Sequence, residues 1–129
     1  MAYYVDTSAL VKLVVREAET IAFRRWLRSR ADVVSSDLAR TELVRAVRRV
    51  APDRMTQARI VLDSITLITV DTETFEQAGR LEPALLRTLD SVHLAAALQL
   101  GDDLEGFVTY DDRLAEAARW HGVPVFAPN

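Results

Sequence analysis

Short strand-like segments alternate with helix-like segments along the chain, and this alternation restricts the fold more than any other feature. The strand-like segments are rich in β-branched or aromatic residues: YYV at 3–5, DVVSS at 32–36, TLITV at 66–70, GFVTY at 106–110 and VPVFA at 123–127. The helix-like stretches are 8–15, 18–30, 38–50, 53–64, 72–80, 83–100 and 112–121, and the stretch 83–100 is expected to break near Thr88 to Asp90. Strands joined by crossover helices form a parallel sheet covered on both faces. We therefore predict an α/β fold, a three-layer α/β/α sandwich with a central, mostly parallel sheet of about five strands.

The length and composition fit one domain spanning residues 1–129. At 129 residues, half of them hydrophobic, the chain is long enough to bury a sizeable core. Its four prolines lie at the predicted ends of helices, strands or the tail, so they do not mark a linker. The absence of cysteine excludes a disulfide scaffold and thiolate metal sites. No apolar run approaches the length of a bilayer span, and we expect a cytoplasmic protein without a membrane partner.

Positive charge is concentrated in one part of the chain. The net charge is −3, yet the segment from Arg24 to Arg59 contains ten arginines and four acids, which gives +6 there and −9 elsewhere. A basic face of this kind suits a polyanion such as nucleic acid. The simpler interpretation is a set of solvated helical arginines.

Four acids occur where the predicted fold would bring them together. Asp6 and Asp111 each follow a strand, Asp90 lies at the start of an apolar helix, and Glu42 lies in the helix after the second strand. Ligands of open parallel sheets bind outside the carboxyl ends of the strands, so all four side chains can converge there. Taken singly, Asp6, Asp90 and Asp111 are most simply helix N-caps, and Glu42 is a first-turn acid favoured by the helix dipole.

A cluster of carboxylates would need a cation. Two ionised carboxylates about 4 Å apart repel by roughly 4 kcal/mol at an effective dielectric constant of about 20. Mg²⁺ and Mn²⁺ prefer such oxygen ligands, whereas His93 and His121 lack the spacing of a zinc site. We interpret His93 as a hydrogen-bonded packing residue and His121 as a helix C-cap. Acids that hold a metal beside a basic face indicate phosphodiester hydrolysis, with Asp6, Asp90 and Asp111 as ligands and Glu42 as a ligand or general base.

Four segments, in this order, resemble those of PIN-domain ribonucleases, specifically the VapC toxins of bacterial type II toxin–antitoxin pairs. They are YYVDTSALVKL, SSDLARTELVRAVRR, LRTLDSVHLAAALQL and GFVTYDDRLAEAA, and together they span nearly the whole chain. Each segment alone is a weak signal. All four in one chain of this length make the resemblance specific.

The resemblance implies a site and an activity. The family's acidic site falls on Asp6, Glu42, Asp90 and Asp111, and its hydroxyl residues fall on Ser8 and Thr109, which would orient the carboxylates or a water molecule. The neighbouring Asp112 leaves open which of the two adjacent acids faces the metal. The resemblance further implies Mg²⁺ dependence with Mn²⁺ as a substitute, endonucleolytic cleavage of structured RNA such as tRNA or rRNA, homodimerisation, and inhibition by a cognate VapB-type antitoxin in a hetero-oligomer.

An apolar groove between the helical segments at 17–30 and 38–65 offers a surface for an antitoxin helix. Most of its apolar side chains are expected in the core, and Trp26 is the one we predict to be an exposed anchor.

Three other interpretations remain open at this point. An aspartyl-phosphate phosphatase would want a second Asp where Ser8 stands, and a receiver domain would need an acidic pair at Asp6 and a late lysine, whereas Lys12 is early. The third is a non-catalytic RNA- or partner-binding module.

Overall fold

The computed structural model describes residues 1–30 and 32–129, and its centre is a five-stranded sheet in the order β3-β2-β1-β4-β5. The strands are β1 (Ala2–Val5), β2 (Val33–Ser36), β3 (Thr66–Ile68), β4 (Leu104–Val108) and β5 (Val125–Phe126). Every pairing between neighbouring strands is parallel. The predicted α/β class and all five strands are confirmed, and the sheet is wholly parallel.

Seven α-helices connect the strands in the described part of the chain. They are α1 (Thr7–Val11), α2 (Thr20–Leu27), α3 (Leu38–Val50), α4 (Met55–Ser64), α5 (Thr72–Arg80), α6 (Thr88–Leu98) and α7 (Asp112–Trp120), with 3₁₀ turns at Pro52–Arg54 and Gly101–Asp103. The predicted break near Thr88 to Asp90 is confirmed, because α6 begins at Thr88, but the helix predicted over 83–87 was wrong. Residues 83–85 are exposed, Leu85 by 95%, so they supply no buried apolar face to stabilise a helix.

The two faces of the sheet carry separate cores, because successive side chains of a strand point to opposite faces. Val5 and Val108 pack with residues of α1 to α4 on one face. Tyr4 and Phe107 pack with residues of α6 and α7 on the other. Trp26, predicted to be exposed, is instead partly buried in the first core, with its ring centroid 4.9 Å from that of Tyr3.

The connections change direction between β1 and β4, and this places a crevice at the carboxyl ends of those two strands. From β1 the chain moves to β2 and β3 on one side, then crosses to β4 and β5 on the other. Val5 pairs with Val108 at the end of both strands, and the Asp6 amide donates to the Val108 carbonyl over 3.1 Å. The residues that follow the two strands therefore lie side by side. No helix in the described part of the chain has the length and apolar character needed to cross a lipid bilayer.

Candidate active site

Asp6 lies at the bottom of the crevice, and its carboxylate accepts hydrogen bonds from uncharged donors. One carboxylate oxygen accepts the Ser8 hydroxyl at 2.7 Å and the Ala9 amide at 3.1 Å, and the other accepts the Thr109 hydroxyl at 2.6 Å. The amide contact confirms the predicted N-cap of α1. Asp6 is only 3% exposed, and this burial raises its pKa above the ordinary 3.8, although the hydrogen bonds from Thr109 and Ser8 oppose the shift.

Ser8 and Thr109 also tie the end of β4 to the start of α1. The Ser8 oxygen accepts the Tyr110 amide at 3.1 Å, and the Thr109 oxygen accepts the Asp111 amide at 3.1 Å. Each hydroxyl therefore donates to Asp6 and accepts from the β4–α7 connection. This double role fixes the Asp6 carboxylate relative to Asp111.

Glu42 enters the crevice from α3 and is held by Thr7 and His93. Its Oε1 accepts the Thr7 hydroxyl at 2.7 Å and lies 2.5 Å from His93 Nε2, while His93 Nδ1 lies 2.8 Å from the Tyr4 hydroxyl. Partial burial raises the pKa of Glu42, but the hydrogen bonds from His93 and Thr7 outweigh it and leave the pKa below 4.5. Nε2 of His93 is the donor in its contact with Glu42, because an ionised carboxylate only accepts. Burial raises the pKa of Tyr4, so its phenol stays protonated beside Nδ1.

The position of Glu42 corrects one prediction and His93 extends another. Glu42 is the fifth residue of α3, beyond the first turn, so helix-dipole stabilisation does not explain it. His93 is 2% exposed and hydrogen-bonded, as predicted for a packing residue. Its contact with Glu42 was not predicted. His121 is the C-cap residue of α7, as predicted.

Asp90 and Asp111 share one arginine at the rim of the crevice. Arg87 Nε donates to Asp90 Oδ2 at 2.9 Å, and Arg87 Nη2 donates to Asp111 Oδ2 at 2.8 Å. Asp111 also accepts the Leu114 amide at 3.0 Å, which confirms the predicted N-cap of α7. The N-cap prediction for Asp90 was wrong: Arg87 holds that position, and Asp90 is the third residue of α6, with its carboxylate turned to the arginine.

One hydrogen-bonded network thus contains Asp6, Ser8, Thr109, Asp111, Arg87 and Asp90, and a second contains Glu42, Thr7, His93 and Tyr4. Thr7 lies directly between Asp6 and Ser8 in the sequence and so joins the two networks. Asp112 is exposed and is the first residue of α7, whereas Asp111 lies within the first network.

The donors in this crevice are oxygen atoms of carboxylates and hydroxyls, which is the donor chemistry that Mg²⁺ and Mn²⁺ prefer. Across residues 1–30 and 32–129, however, no three acidic or histidine side chains are grouped closely enough to hold a metal ion. Two of the carboxylates are also paired with Arg87, whose guanidinium engages one oxygen of each. The chemistry of the oxygen donors, taken by itself, fits a hard divalent cation.

Sequence reasoning did not predict that Thr7, Arg87 and His93 contact the acids of the crevice. Thr7 had a weak signal, since it lies between two residues that were selected. Arg87 precedes Asp90 by three residues, a spacing at which side chains meet on a helix. His93 carried no signal beyond its position in an apolar helix.

The comparisons with known proteins agree with this geometry. A PIN domain profile matches residues 3–119. Ribonuclease VapC46 of Mycobacterium tuberculosis is 47% identical over 128 residues, covering 99% of this chain and 98% of that protein. Ribonuclease VapC47 of the same species is 40% identical over 130 residues, covering 97% and 96%.

Two solved structures share the fold. One is VapC20 of Mycobacterium tuberculosis, a toxin that cleaves the sarcin–ricin loop, with a TM-score of 0.74 and 18% identity over 90% of this chain and 95% of that chain. The other belongs to a toxin–antitoxin complex from Klebsiella pneumoniae, with a TM-score of 0.69 and 19% identity over 100% and 98% of the two chains. The family profile and the full-length sequence relatives show that this chain belongs to the PIN-domain family and, within it, to the VapC ribonucleases.

Proposed function

We propose that this protein is a metal-dependent endoribonuclease toxin that hydrolyses phosphodiester bonds in structured RNA, with tRNA or rRNA as the substrate class, and that a cognate antitoxin inhibits it. One observation carries the proposal: at the switch point of the parallel sheet, hydrogen bonds connect Asp6 through Thr109 to Asp111 and through Arg87 to Asp90. Thr7, the neighbour of Asp6 in the sequence, donates to Glu42. The relatives named as ribonucleases and the neighbour in a toxin–antitoxin complex support the class of activity and of partner.

In this proposal Asp6, Asp90 and Asp111 hold a Mg²⁺ or Mn²⁺ ion. When bound, such an ion polarises the phosphodiester, lowers the pKa of a water molecule and offsets charge on the leaving oxygen. Ser8 and Thr109 fix the orientation of Asp6, because each donates to a different carboxylate oxygen. Buried Asp6 is the anchor, whereas the side chains of Asp90 and Asp111 are 15% and 26% exposed and lie within reach of a substrate.

Glu42 is either a further ligand or the general base. Its lowered pKa keeps it ionised at neutral pH, and its side chain is 21% exposed. Thr7 and His93 both bind Oε1, so the other carboxylate oxygen is the one directed to a ligand or a proton. Tyr4 and His93 act as positioning residues for Glu42.

Arginines near the crevice supply the binding surface for RNA. Arg45, Arg48 and Arg49 line one open pocket on α3. A groove of about 410 Å³ beside Asp90 is lined by Arg87, Arg113 and Trp120, among other residues, and Trp120 is 68% exposed. Guanidinium groups contact backbone phosphates, and an exposed indole can stack on an unpaired base.

For the protein partners we propose a homodimer and a hetero-oligomer with a VapB-type antitoxin. An antitoxin helix would use the exposed apolar residues that border the α2 and α3 face, including Ile21 and Val50, which are 54% and 61% exposed. Phe23, Val47 and most other apolar residues of the predicted groove lie in the core.

The proposal is tested with purified protein and 5′-labelled tRNA or rRNA hairpins, incubated with MgCl₂, MnCl₂ or EDTA. We expect discrete internal cuts with either metal and none in EDTA. Because water is the nucleophile, a 2′-deoxy substitution at the cut site should leave cleavage intact and no 2′,3′-cyclic phosphate should form. RNA binding without turnover under every metal condition would support the non-catalytic module instead.

A further inference from the structure

Arg87 is placed unusually for an arginine beside predicted metal ligands. It occupies the N-cap position of α6. Its guanidinium donates both to Asp90 in the first turn of α6 and to Asp111, the N-cap residue of α7. Nε and Nη2 lie on the same edge of the planar guanidinium, so two different carboxylates accept side by side. A single positive charge therefore bridges two acids that would otherwise repel each other.

This bridge is weak enough to be broken. The Arg87 side chain is 64% exposed, and exposed ion pairs contribute little because solvent screens them and a long side chain must be ordered. A divalent cation carries twice the charge and prefers the same carboxylate oxygens. A cation bound to Asp90 Oδ2 and Asp111 Oδ2 would compete with Arg87 for the two oxygens that the guanidinium occupies.

The structure also offers a place for the released side chain. The 410 Å³ groove next to Asp90 is lined by Arg87 and Arg113 and continues to Trp120. A guanidinium that turns away from the two acids enters this groove with its five N–H donors free. A phosphate oxygen of an RNA strand lying there is the acceptor that matches it.

We propose that Arg87 occupies the position of the metal between Asp90 and Asp111; this inference rests on the metal-dependent nuclease proposed above. A divalent cation displaces Arg87 when it binds. The released side chain then binds a backbone phosphate of the RNA. The residue thereby couples cation binding to substrate binding. In the absence of metal the acids neutralise Arg87, and it contributes nothing to RNA affinity. With metal bound, its charge becomes available to the substrate.

The first test is a calorimetric titration of Mn²⁺ into the protein without RNA. We expect Arg87→Ala to bind Mn²⁺ roughly tenfold more tightly than the wild type, since the cation no longer displaces an ion pair on each of two acids. Arg87→Lys keeps the charge but loses the bridging fork, and it should also bind more tightly than the wild type. Arg40→Ala is the matched control: Arg40 pairs with Asp37 at the same three-residue spacing and is 53% exposed, and its removal should change the affinity less than about twofold.

The second test measures RNA affinity with a fluorescein-labelled 2′-O-methyl hairpin, checked on a gel for integrity. In Mn²⁺ we expect Arg87→Ala to bind the hairpin roughly tenfold more weakly than the wild type, and in EDTA the two should bind alike. A merely structural arginine would not give this dependence on the cation.

The two proposals fail in different ways. Unchanged or weaker Mn²⁺ affinity in Arg87→Ala, or wild-type Mn²⁺ affinity in Arg87→Lys, overturns displacement. An equal loss of RNA affinity with and without Mn²⁺ overturns the coupling. If the wild type binds no Mn²⁺, or if Asp90→Asn leaves its Mn²⁺ binding intact, the proposed metal-dependent function itself fails.

Discussion

The two halves of the candidate site balance negative charge in different ways. Asp6 and Glu42, from β1 and α3, are held by hydroxyls, a backbone amide and a histidine, mostly away from solvent. Asp90 and Asp111, from the starts of α6 and α7, are held by an arginine whose side chain is 64% exposed. Hydrogen bonds from buried neutral groups fix a carboxylate without cancelling its charge, whereas an exposed cation cancels charge and can leave.

This difference suggests a division of labour between a fixed half and an adjustable half. The fixed half keeps its geometry whether or not a cation is present, because its donors belong to the strand ends and to a buried helix. The adjustable half exchanges its counter-ion. The predictions below test this contrast in order of decreasing effect.

Asp6→Asn should have the largest effect on activity. In the proposed mechanism a bound metal would supply several kcal/mol of transition-state stabilisation, so loss of its anchoring charge should lower the cleavage rate by roughly 10³-fold. The matched control is Asp71→Asn. Asp71 caps α5 by accepting the Thr74 amide at 2.9 Å, which is the local role that Asp6 has in α1. Unlike Asp6, Asp71 is exposed, and its carboxylate is bound by Thr74 of its own helix.

Cleavage of labelled RNA under single-turnover conditions, together with circular dichroism of each variant, measures the effect. Asp71→Asn should cleave at the wild-type rate. Equal activity in Asp6→Asn and wild type would mean that Asp6 is only a helix cap.

Asp111→Asn and Asp112→Asn should separate the two adjacent acids. Asn is as good an N-cap as Asp, so Asp111→Asn keeps the start of α7 while removing the charge that faces Arg87. We expect Asp111→Asn to lower cleavage by roughly 10²-fold and Asp112→Asn to have a much smaller effect. The reverse order in the same cleavage assay would assign the metal to Asp112.

Tyr4→Phe should weaken the fixed half without removing any charge. It removes the hydroxyl that lies 2.8 Å from His93 Nδ1 and leaves a buried nitrogen unpaired, which costs about 1–3 kcal/mol of unfolding free energy. Cleavage should also fall several-fold, because His93 then positions Glu42 less firmly. Tyr3→Phe removes a hydroxyl from the opposite face of β1 and is the control for both urea unfolding and activity.

The parts of the molecule that sequence predicts are those fixed by short-range patterns. Strand-like runs and caps such as Asp6 and Asp111 depend on residues within a few positions, and they were predicted correctly. The helix predicted over 83–87 is absent, because exposed Leu85 matches a helical pattern without a core to pack against.

The contacts that sequence does not predict join distant residues. Arg87 and Asp111 are 24 positions apart, and Glu42 and His93 are 51 apart. Their meeting depends on where crossover helices end over the sheet, which no local spacing reports. Resemblance selected the four acids, and the three-dimensional structure shows which groups bind each of them.

Asp6 and Glu42 should respond to pH in opposite directions, and this is the smallest effect we predict. Burial raises the pKa of Asp6 above 3.8, so between pH 3.8 and its folded pKa the folded state binds a proton that the unfolded state has lost. The Asp6 contribution to stability therefore falls as the pH rises through this window. The pKa of Glu42 is lowered from 4.5, so its contribution is fully present above pH 4.5 and is lost as the pH falls through the folded value.

Urea unfolding of wild type, Asp6→Asn and Glu42→Gln in EDTA between pH 3.5 and 7.5, a range chosen to span both ordinary carboxyl pKa values, measures the two contributions. Subtracting the unfolding free energy of Asp6→Asn from that of wild type should give a difference that falls with rising pH, because the charged carboxylate is the costly form. The same subtraction with Glu42→Gln should give a difference that rises with pH. Slopes of the same sign would mean that Asp6 and Glu42 share one electrostatic environment, and the hydroxyls and His93 would then not distinguish them.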